Sequence, residues 1–227
     1  MYRIALILFT IHVSFAQEIL VPKKVDSLYR EDQMYVGFTY NLLQNAPKEY
    51  SPTGFSLGLH LGILRDIPLN KERTYAIAPG VGLGFQRFDH NIALTTVDNV
   101  QNYELLFTGN FTKNRWSFYT IDFPIELRWR TSTPESHKFW RIYAGYKGSL
   151  VFYDVSRLTI GENRIVTHNN KDVRGFQSGV YISAGYNTWN FYFYHALQSL
   201  LNQNTRATNG SELNMQIMTF GLQFYIL

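Results

Sequence analysis

The residues with the greatest capacity for chemistry lie at alternating positions of short segments. Acidic and basic side chains share one parity within residues 119–130 and within residues 140–152, and a histidine occupies an equivalent position within residues 54–64. These side chains are His60, Asp122, Glu126, Arg128, Arg130, Arg141 and Lys147. Alternate residues of a strand face the same side, so neighbouring strands bring these groups within reach of one another. Because buried charges must be paired, we interpret the set as a salt-bridge network that fills a protein interior, with a proton or ion path as the alternative.

A second chemistry to consider is hydrolysis by a serine, a histidine and an acid. Ser56 and His60 share one face of a predicted strand but lie about 13 Å apart along it, too far for a hydrogen bond. His195 could pair with a loop acid, Asp89 or Glu212. A lipid-modifying hydrolase therefore stays open as an alternative, although no motif makes the pairing specific.

Other catalytic and metal-binding patterns are missing from the sequence. The chain has no cysteine, which excludes disulfides and cysteine-ligated metals. It contains no HExxH, P-loop or dinucleotide motif, and His90, His137 and His168 are isolated in predicted loops or turns. We predict no enzyme activity, no cofactor and no metal site.

Composition restricts the class of protein. The 227 residues carry a net charge of +4, only 17% are charged and 16% are aromatic. The positive excess is too small and scattered for a nucleic-acid partner, and the aromatic content argues against disorder. No apolar run approaches the roughly 18 residues of a spanning helix. What remains is a soluble all-β protein or a membrane β-barrel.

The N-terminus has the pattern of an export signal. Arg3 precedes a short apolar stretch, and Ser14-Phe15-Ala16 is a small-x-small cleavage site. We therefore divide the chain into a signal peptide over residues 1–16, a periplasmic N-terminal segment over 17–33 and a β-barrel over 34–227.

Eight segments alternate with a period of two and predict an eight-stranded, antiparallel, up-and-down β-barrel. They cover residues 35–42, 54–64, 75–85, 119–130, 140–152, 179–187, 190–197 and 218–226. Residues 190–197 carry apolar side chains on both faces, so their facing is left open. Pro79 and Pro124 fall inside strands, and because each lacks an N–H we predict a local bulge at each.

The bulky face of these strands is predicted to face lipid. An eight-stranded barrel has an interior only just wide enough for side chains, so rows of Phe, Leu, Tyr and Trp must point outward. Long loops alternate with short turns, which is typical of an outer-membrane barrel with periplasmic termini. Two aromatic girdles are predicted at the strand ends. Tyr75, Trp129 and Trp140 form the girdle on the side of the short turns, and Phe55, Phe85, Tyr119 and Phe152 form the other.

The C-terminal strand and the alternating glycines resemble the outer-membrane β-barrel proteins of Bacteroidota, called "porin family" or PorT-like. Thr219, Gly221 and Phe224 fit the insertion signal that the barrel assembly machinery reads, whereas Ile226 replaces the final aromatic and Leu227 is an extra residue. The resemblance spans nearly all of the mature chain. It implies residence in the outer membrane of a Gram-negative bacterium, contact with outer-membrane lipid and the assembly machinery, and a host complex for secretion or assembly.

One loop offers a contact surface. We predict that residues 89–118 extend two strands as a hairpin around Thr108-Gly109-Asn110, which would expose Leu105, Leu106 and Phe107 to a partner or to another loop. The predicted function is a non-enzymatic structural or accessory subunit of a larger envelope complex. A lipid-modifying hydrolase and a narrow pore are the alternatives.

Overall fold

The computed structural model describes residues 33–98, 100–107, 109–131 and 139–226. The predicted signal peptide, nearly all of the segment 17–33, His137 and Leu227 lie outside these ranges. Within them, no helix has the length and apolar character required to cross a membrane.

The described residues form twelve strands, and eight of them are the segments that alternate in the sequence. The strands are β1 (Gln33–Gln44), β2 (Leu57–Leu64), β3 (Ile67–Pro68), β4 (Tyr75–Asp89), β5 (Ile92–Val97), β6 (Val100–Leu105), β7 (Lys113–Arg130), β8 (Trp140–Ile160), β9 (Asn163–His168), β10 (Phe176–Tyr186), β11 (Trp189–Ser199) and β12 (Gln216–Ile226).

Eight strands close into an antiparallel barrel in the order β1-β2-β4-β7-β8-β10-β11-β12. The first and last strands pair through Val36 and Phe224, and β8 pairs with β10 through Tyr146 and Val180. Each barrel strand therefore follows its sequence neighbour around the ring, which confirms the predicted up-and-down barrel. Closure also leaves no barrel strand with an open edge.

The connections differ at the two ends of the barrel. Residues 65–74, 131–139 and 187–188 connect strands at one end, the turn end, where β1 begins and β12 finishes. The segments 45–56, 90–112, 161–175 and 200–215, each longer than any at the turn end, lie at the other end, the loop end. There β7 and β8 continue past the other strands, and β9 adds to β8 as a third strand.

The predicted hairpin around Thr108-Gly109-Asn110 is wrong. A separate hairpin forms between β5 and β6, whose register runs from Ile92 opposite Leu105 to Val97 opposite Val100. Its two-residue turn includes Asp98 at φ 49°, a left-handed conformation that aspartate tolerates and that matches the twist of paired strands. Gly109, at φ 108°, instead lies in a small turn closed by Asn110 N donating to Phe107 O at 3.1 Å.

Pro79 and Pro124 do not produce the predicted bulges. The register of β4 against β7 is the same before and after the two prolines. Pairing is interrupted only at Gly80 and Val81 of β4, and Pro124 of β7 lies opposite this interruption. The carbonyl of Pro79 accepts from Arg65 N at 2.8 Å. Pro79 has no N–H to return this bond, so the ladder between Arg65 and Pro79 keeps one hydrogen bond, at the bend between β2 and β3. The β7–β8 register shift occurs instead beside Phe152.

Candidate functional site

The two faces of the wall follow the predicted alternation. Leu61, Leu83 and Leu127 are exposed on the outside, whereas His60, Gly84 and Arg128 face inward. The structure also gives the facing of strand β11, which was left open: Tyr192 and Tyr194 point inward, and Phe191 and Phe193 point outward. The interior is the first place to look for a site.

All seven predicted interior residues are buried inside the barrel, between its turn end and its middle. Together with Asp66 they form what we call the ionic layer: His60, Asp66, Asp122, Glu126, Arg128, Arg130, Arg141 and Lys147.

Asp66 forms ion pairs with two arginines at the turn end. Arg128 donates from Nη1 to Asp66 Oδ1 at 3.0 Å, and Arg130 donates from Nη1 and Nη2 to its two oxygens at 2.9 and 2.8 Å. Both guanidinium groups and the carboxylate are inaccessible to solvent. Sequence reasoning missed Asp66 because it lies in the bend between β2 and β3. The sequence predicts four interior bases but only two interior acids. This imbalance was the signal that could have indicated a further interior carboxylate.

Glu126 is held by groups from three other positions in the barrel. Arg128 Nε donates to its Oε2 at 2.8 Å, and the hydroxyls of Tyr181 and Tyr225 donate to its Oε1 at 3.0 and 3.1 Å. Gln223 Nε2 in turn donates to Tyr225 Oη at 2.7 Å. The carboxylate is therefore neutralised and solvated by the protein alone.

Asp122 is the second interior carboxylate. Lys147 Nζ and His60 Nδ1 each lie 3.6 Å from its Oδ2, and Thr120 Oγ1 donates to its Oδ1 at 2.8 Å. Lys147 also lies 4.5 Å from the centre of the Tyr194 ring, a cation–π contact. The predicted pairing of β7 acids with a β8 base thus holds at this position.

Arg141 departs from that pairing. It lies directly opposite Arg130 in the β7–β8 register and, among the described residues, forms no ion pair. Its guanidinium instead packs on aromatic rings, at 4.5 Å from Phe139, 5.4 Å from Tyr225 and 5.8 Å from Tyr143. Aromatic faces take the place of a carboxylate here.

Tyrosine side chains fill the interior beside several inward-facing glycines. A Cβ added to Gly82 would lie 2.2 Å from the Tyr35 hydroxyl, one on Gly145 would lie 2.3 Å from the Tyr181 ring, and one on Gly179 would lie 2.4 Å from the Tyr194 ring. The expectation that tyrosines point outward is therefore corrected for these three, which lie inside the barrel. The glycines make room for tyrosines from other strands.

Toward the loop end, a large apolar cluster lies next to the ionic layer. We call the following buried residues the apolar layer: Leu43, Phe88, Ile92, Leu94, Tyr103, Trp116, Phe118, Leu200, Leu201, Leu213, Met215 and Ile217. Barrel strands contribute part of it, and the hairpin β5–β6 and the loop 200–215 contribute the rest.

The hairpin crosses the mouth of the barrel. Tyr103 O accepts from Thr208 N at 2.8 Å and from Thr208 Oγ1 at 2.9 Å, and Tyr103 Oη donates to Asp172 at 3.0 Å. The hairpin leaves the ring between β4 and β7, whereas Thr208 lies between β11 and β12, diametrically opposite in strand order. The mouth is thus covered from one side to the other.

His90 fixes the base of the hairpin. Its Nδ1 accepts from Ile92 N at 3.1 Å, and its ring packs edge-on against Trp116 with centroids 4.6 Å apart. Burial away from water lowers the pKa of His90 to about 3, with the carboxylate of Asp89 opposing the shift. The imidazole is therefore neutral in the folded protein near neutral pH.

The residues considered for hydrolysis have other partners. Ser56 Oγ accepts from Asp89 N at 2.9 Å, and the Asp89 carboxylate binds Arg115 at 2.8 Å and Arg87 at 3.1 Å. Glu212 binds Arg206. The acids considered for His195 thus each bind arginine. The described part of the chain contains no group of three His, Cys, Asp or Glu residues that could hold a metal.

The remaining predicted residues lie on the outside or at its rim. Tyr75 and Trp129 are cross-strand partners at the turn end with Trp140 nearby in sequence, and Phe85, Tyr119 and Phe152 lie together toward the loop end. Phe55 is exposed, and so is Ile226 of the proposed insertion signal, whereas Thr219 is buried. Their roles as girdles and signal stay predictions.

The predicted loop surface is only partly exposed. Leu105 packs against the apolar layer and Leu106 is half-buried, but Phe107 is 80% exposed. The inward fold of the hairpin partly buries the two leucines, so Phe107 is the one of the three that stays largely exposed.

A closed eight-stranded barrel with an apolar exterior and a filled interior is typical of integral outer-membrane β-barrels. Residues 15–202 match the family described as "Outer membrane protein beta-barrel domain", and the chain belongs to that family. No curated protein matches the chain. One solved structure is described as "Asymmetric conductivity of engineered proteins", and its match spans 86% of this chain and 99% of that chain. The sequence identity is 9% and the TM-score is 0.15.

Proposed function

We propose that this outer-membrane protein is a non-enzymatic structural or accessory subunit of a larger envelope complex, of the PorT-like kind found in Bacteroidota. Its loop end faces outward and its termini are periplasmic. The observation that carries the proposal is the filled interior, in which the ionic layer and the apolar layer occupy successive sections of the same cylinder.

The filled interior leaves little room for transport. Arg128, Arg130 and Glu126 are almost completely buried, and each is held by protein partners. Moving them aside would separate buried charges, which is costly in a low-dielectric interior. A molecule built this way acts through its outer wall and its loops.

Phe107 is the most direct contact in the loops. An aromatic side chain this exposed beside a folded hairpin gains free energy when a partner removes it from water. We assign it to the interface with the larger complex.

A pull-down in gentle detergent tests the accessory role. We expect a stoichiometric envelope protein to copurify with the tagged chain, as identified by mass spectrometry. F107S should reduce its recovery, and F107L should retain it because the apolar contact is kept. Recovery that is the same for F107S and F107L would contradict the assigned contact, and the absence of any stoichiometric partner would contradict the accessory role.

Two measurements address the alternatives. We expect no single-channel conductance from the protein in planar bilayers, and a defined conductance would overturn the filled interior in favour of a pore. We expect unchanged lipid A and phospholipid profiles after gene deletion, and an altered profile restored by the intact gene would favour the hydrolase.

A further inference from the structure

A basic surface lies on the outward face of the sheet that rises at the loop end. The registers of β7, β8 and β9 place Lys113, Thr159 and Arg164 in one row across that face. The next row holds Arg115, Arg157 and Val166, and Arg87 of β4 lies one row closer to the barrel, opposite Ser117. We call Arg87, Lys113, Arg115, Arg157 and Arg164 the basic patch.

The patch brings like charges together, and its basic side chains outnumber the acidic ones beside it. Arg115 and Arg157 are direct cross-strand partners, an arrangement that destabilises an isolated sheet. Asp89 is shared between Arg87 and Arg115. Among the described residues, Lys113, Arg157 and Arg164 form no ion pair, and neither does Glu162 in the adjoining turn. With five cations and the single carboxylate of Asp89, the patch carries +5 − 1 = +4, as much as the formal net charge of the whole chain.

The patch is open to the surroundings because the hairpin β5–β6 covers the opposite face of the same sheet. Trp116 and Leu158 on that inward face are buried, and Asn114 Nδ2 donates to Ile92 O at 2.6 Å. On the outward face Lys113 and Arg164 are exposed, and the three other cations are half-buried.

The position of the patch matches the level of lipid headgroups. It begins just beyond an aromatic cluster in which the ring of Tyr119 lies 5.1 Å from Phe85 and 5.5 Å from Tyr153. Arg115 is about 13 Å farther along the strand than Tyr119, or about 10 Å higher at the usual strand tilt. Aromatic side chains mark the boundary of the hydrocarbon, so the cations stand where phosphate groups are found.

We propose that the basic patch binds the phosphate groups of lipid A in the outer leaflet. Arginine matches phosphate through its planar fork of N–H donors, and a bound phosphate between Arg115 and Arg157 converts a repulsive pair into an attractive one. The inference rests on the proposed orientation, with the loop end outward. Lipid A is the favoured source because it combines clustered phosphates with acyl chains that pack on the adjacent aromatic side chains.

Binding of lipid A to the purified, detergent-solubilised protein tests the proposal. Native mass spectrometry with lipid A, dephosphorylated lipid A, phosphatidylglycerol and inorganic phosphate separates the sources of phosphate. We expect lipid A to bind most tightly. R157Q/R164Q should weaken that binding by about 30-fold, because each of the two cations near an anionic surface contributes about fivefold. K48Q/R206Q removes two cations from the same end of the protein outside the patch and should bind lipid A as the wild type does.

Several outcomes would overturn the assignment. Equal binding of dephosphorylated lipid A would remove the phosphate contact, equal binding of phosphatidylglycerol would show a general anionic surface, and equal loss in K48Q/R206Q would show a diffuse charge effect. Binding of inorganic phosphate as tight as that of lipid A would show an anion site with no role for the lipid.

The temperature of thermal unfolding is a second test, because R157Q should affect it in opposite directions without and with lipid A. Without lipid, R157Q should raise the unfolding temperature because it removes the like-charge pair with Arg115. With lipid A present, wild-type protein should gain more thermal stability than R157Q, and equal gains would contradict the proposal. R157Q/R164Q should leave recovery of the envelope partner unchanged, so the outcome of this proposal and that of the accessory role are read separately.

Discussion

The ionic layer and the apolar layer fill the same barrel by different means. In the ionic layer, side chains of the barrel strands and of one bend, at Asp66, meet across the interior, and charges are paired or stacked on rings. In the apolar layer, a hairpin and a loop are laid over the mouth, and their leucines and aromatic residues complete a hydrophobic core. The contrast shows that a narrow barrel can be filled by side chains of its wall and an adjoining bend at one end, and by an added hairpin and loop at the other.

The largest expected effect comes from the ionic layer. D66N leaves Arg128 and Arg130 buried without their shared carboxylate, and breaking a buried pair in this way typically costs about 3–5 kcal/mol of unfolding free energy. Urea unfolding in detergent, followed by tryptophan fluorescence, measures the loss. E212Q is the control, because the Glu212–Arg206 pair is solvent-exposed and contributes at most about 1 kcal/mol. Equal losses in the two variants would show that the ionic layer is not held by Asp66.

A cavity in the apolar layer should act locally. L94A removes a fully buried side chain from the hairpin, at a cost of about 2–4 kcal/mol. We expect faster hydrogen exchange in β5 and β6, with little change in the strands around the ionic layer. V97A alters an exposed position of the same hairpin and should leave exchange unchanged. Faster exchange throughout the barrel would mean that the two layers unfold as one unit.

Acid should destabilise the hairpin β5–β6, which covers the mouth of the barrel, through the protonation of His90. The pKa of His90 is lowered in the folded state from 6.5 to about 3, so the unfolded hairpin binds a proton first as the pH falls. The stabilising contribution is complete above about pH 6.5 and declines by up to about 1.4 kcal/mol for each pH unit below it, until the folded-state pKa is reached. Hydrogen exchange of the Ile92 amide between pH 7 and pH 4, corrected for intrinsic rates, measures this decline. H90Q should remove the pH-dependent part, and an unchanged pH profile in H90Q would rule out His90 as its source.

The smallest effect is expected where the two layers meet. Y181F removes one hydrogen bond to Glu126, which keeps those of Tyr225 and Arg128, so we expect a loss of about 1 kcal/mol. Y186F changes an exposed tyrosine of the same strand and serves as the control. A loss as large as that of D66N would indicate that Glu126 depends on Tyr181 more than its three contacts suggest.

The strands and the ionic layer were largely predictable because both follow from a period of two. Asp122, Glu126 and Arg128 occupy alternate positions of one unbroken strand, so parity alone assigns them to one face. The eight-stranded fold follows from the same alternation and from the restricted space inside such a barrel. Asp66 escaped because a bend obeys no such period.

The apolar layer could not be read from the sequence in this way. Ile92, Leu94 and Tyr103 belong to a loop hairpin whose position depends on tertiary contacts such as that between Tyr103 and Thr208. The inward tyrosines were also underestimated, because the volume free inside a barrel depends on which residue faces each glycine across the strands. Such pairings are set by register, and one sequence does not specify register.

Tyr225 gives the final strand a part in more than the wall. It lies on β12, which is diametrically opposite β7 in the ring, and its hydroxyl donates to Glu126 on β7. During assembly, the carboxylate obtains this phenol only when the last strand joins β11 and β1. Completion of the cylinder and completion of its interior therefore coincide, so a barrel that lacks its last strand is incomplete at its centre as well as at its edge.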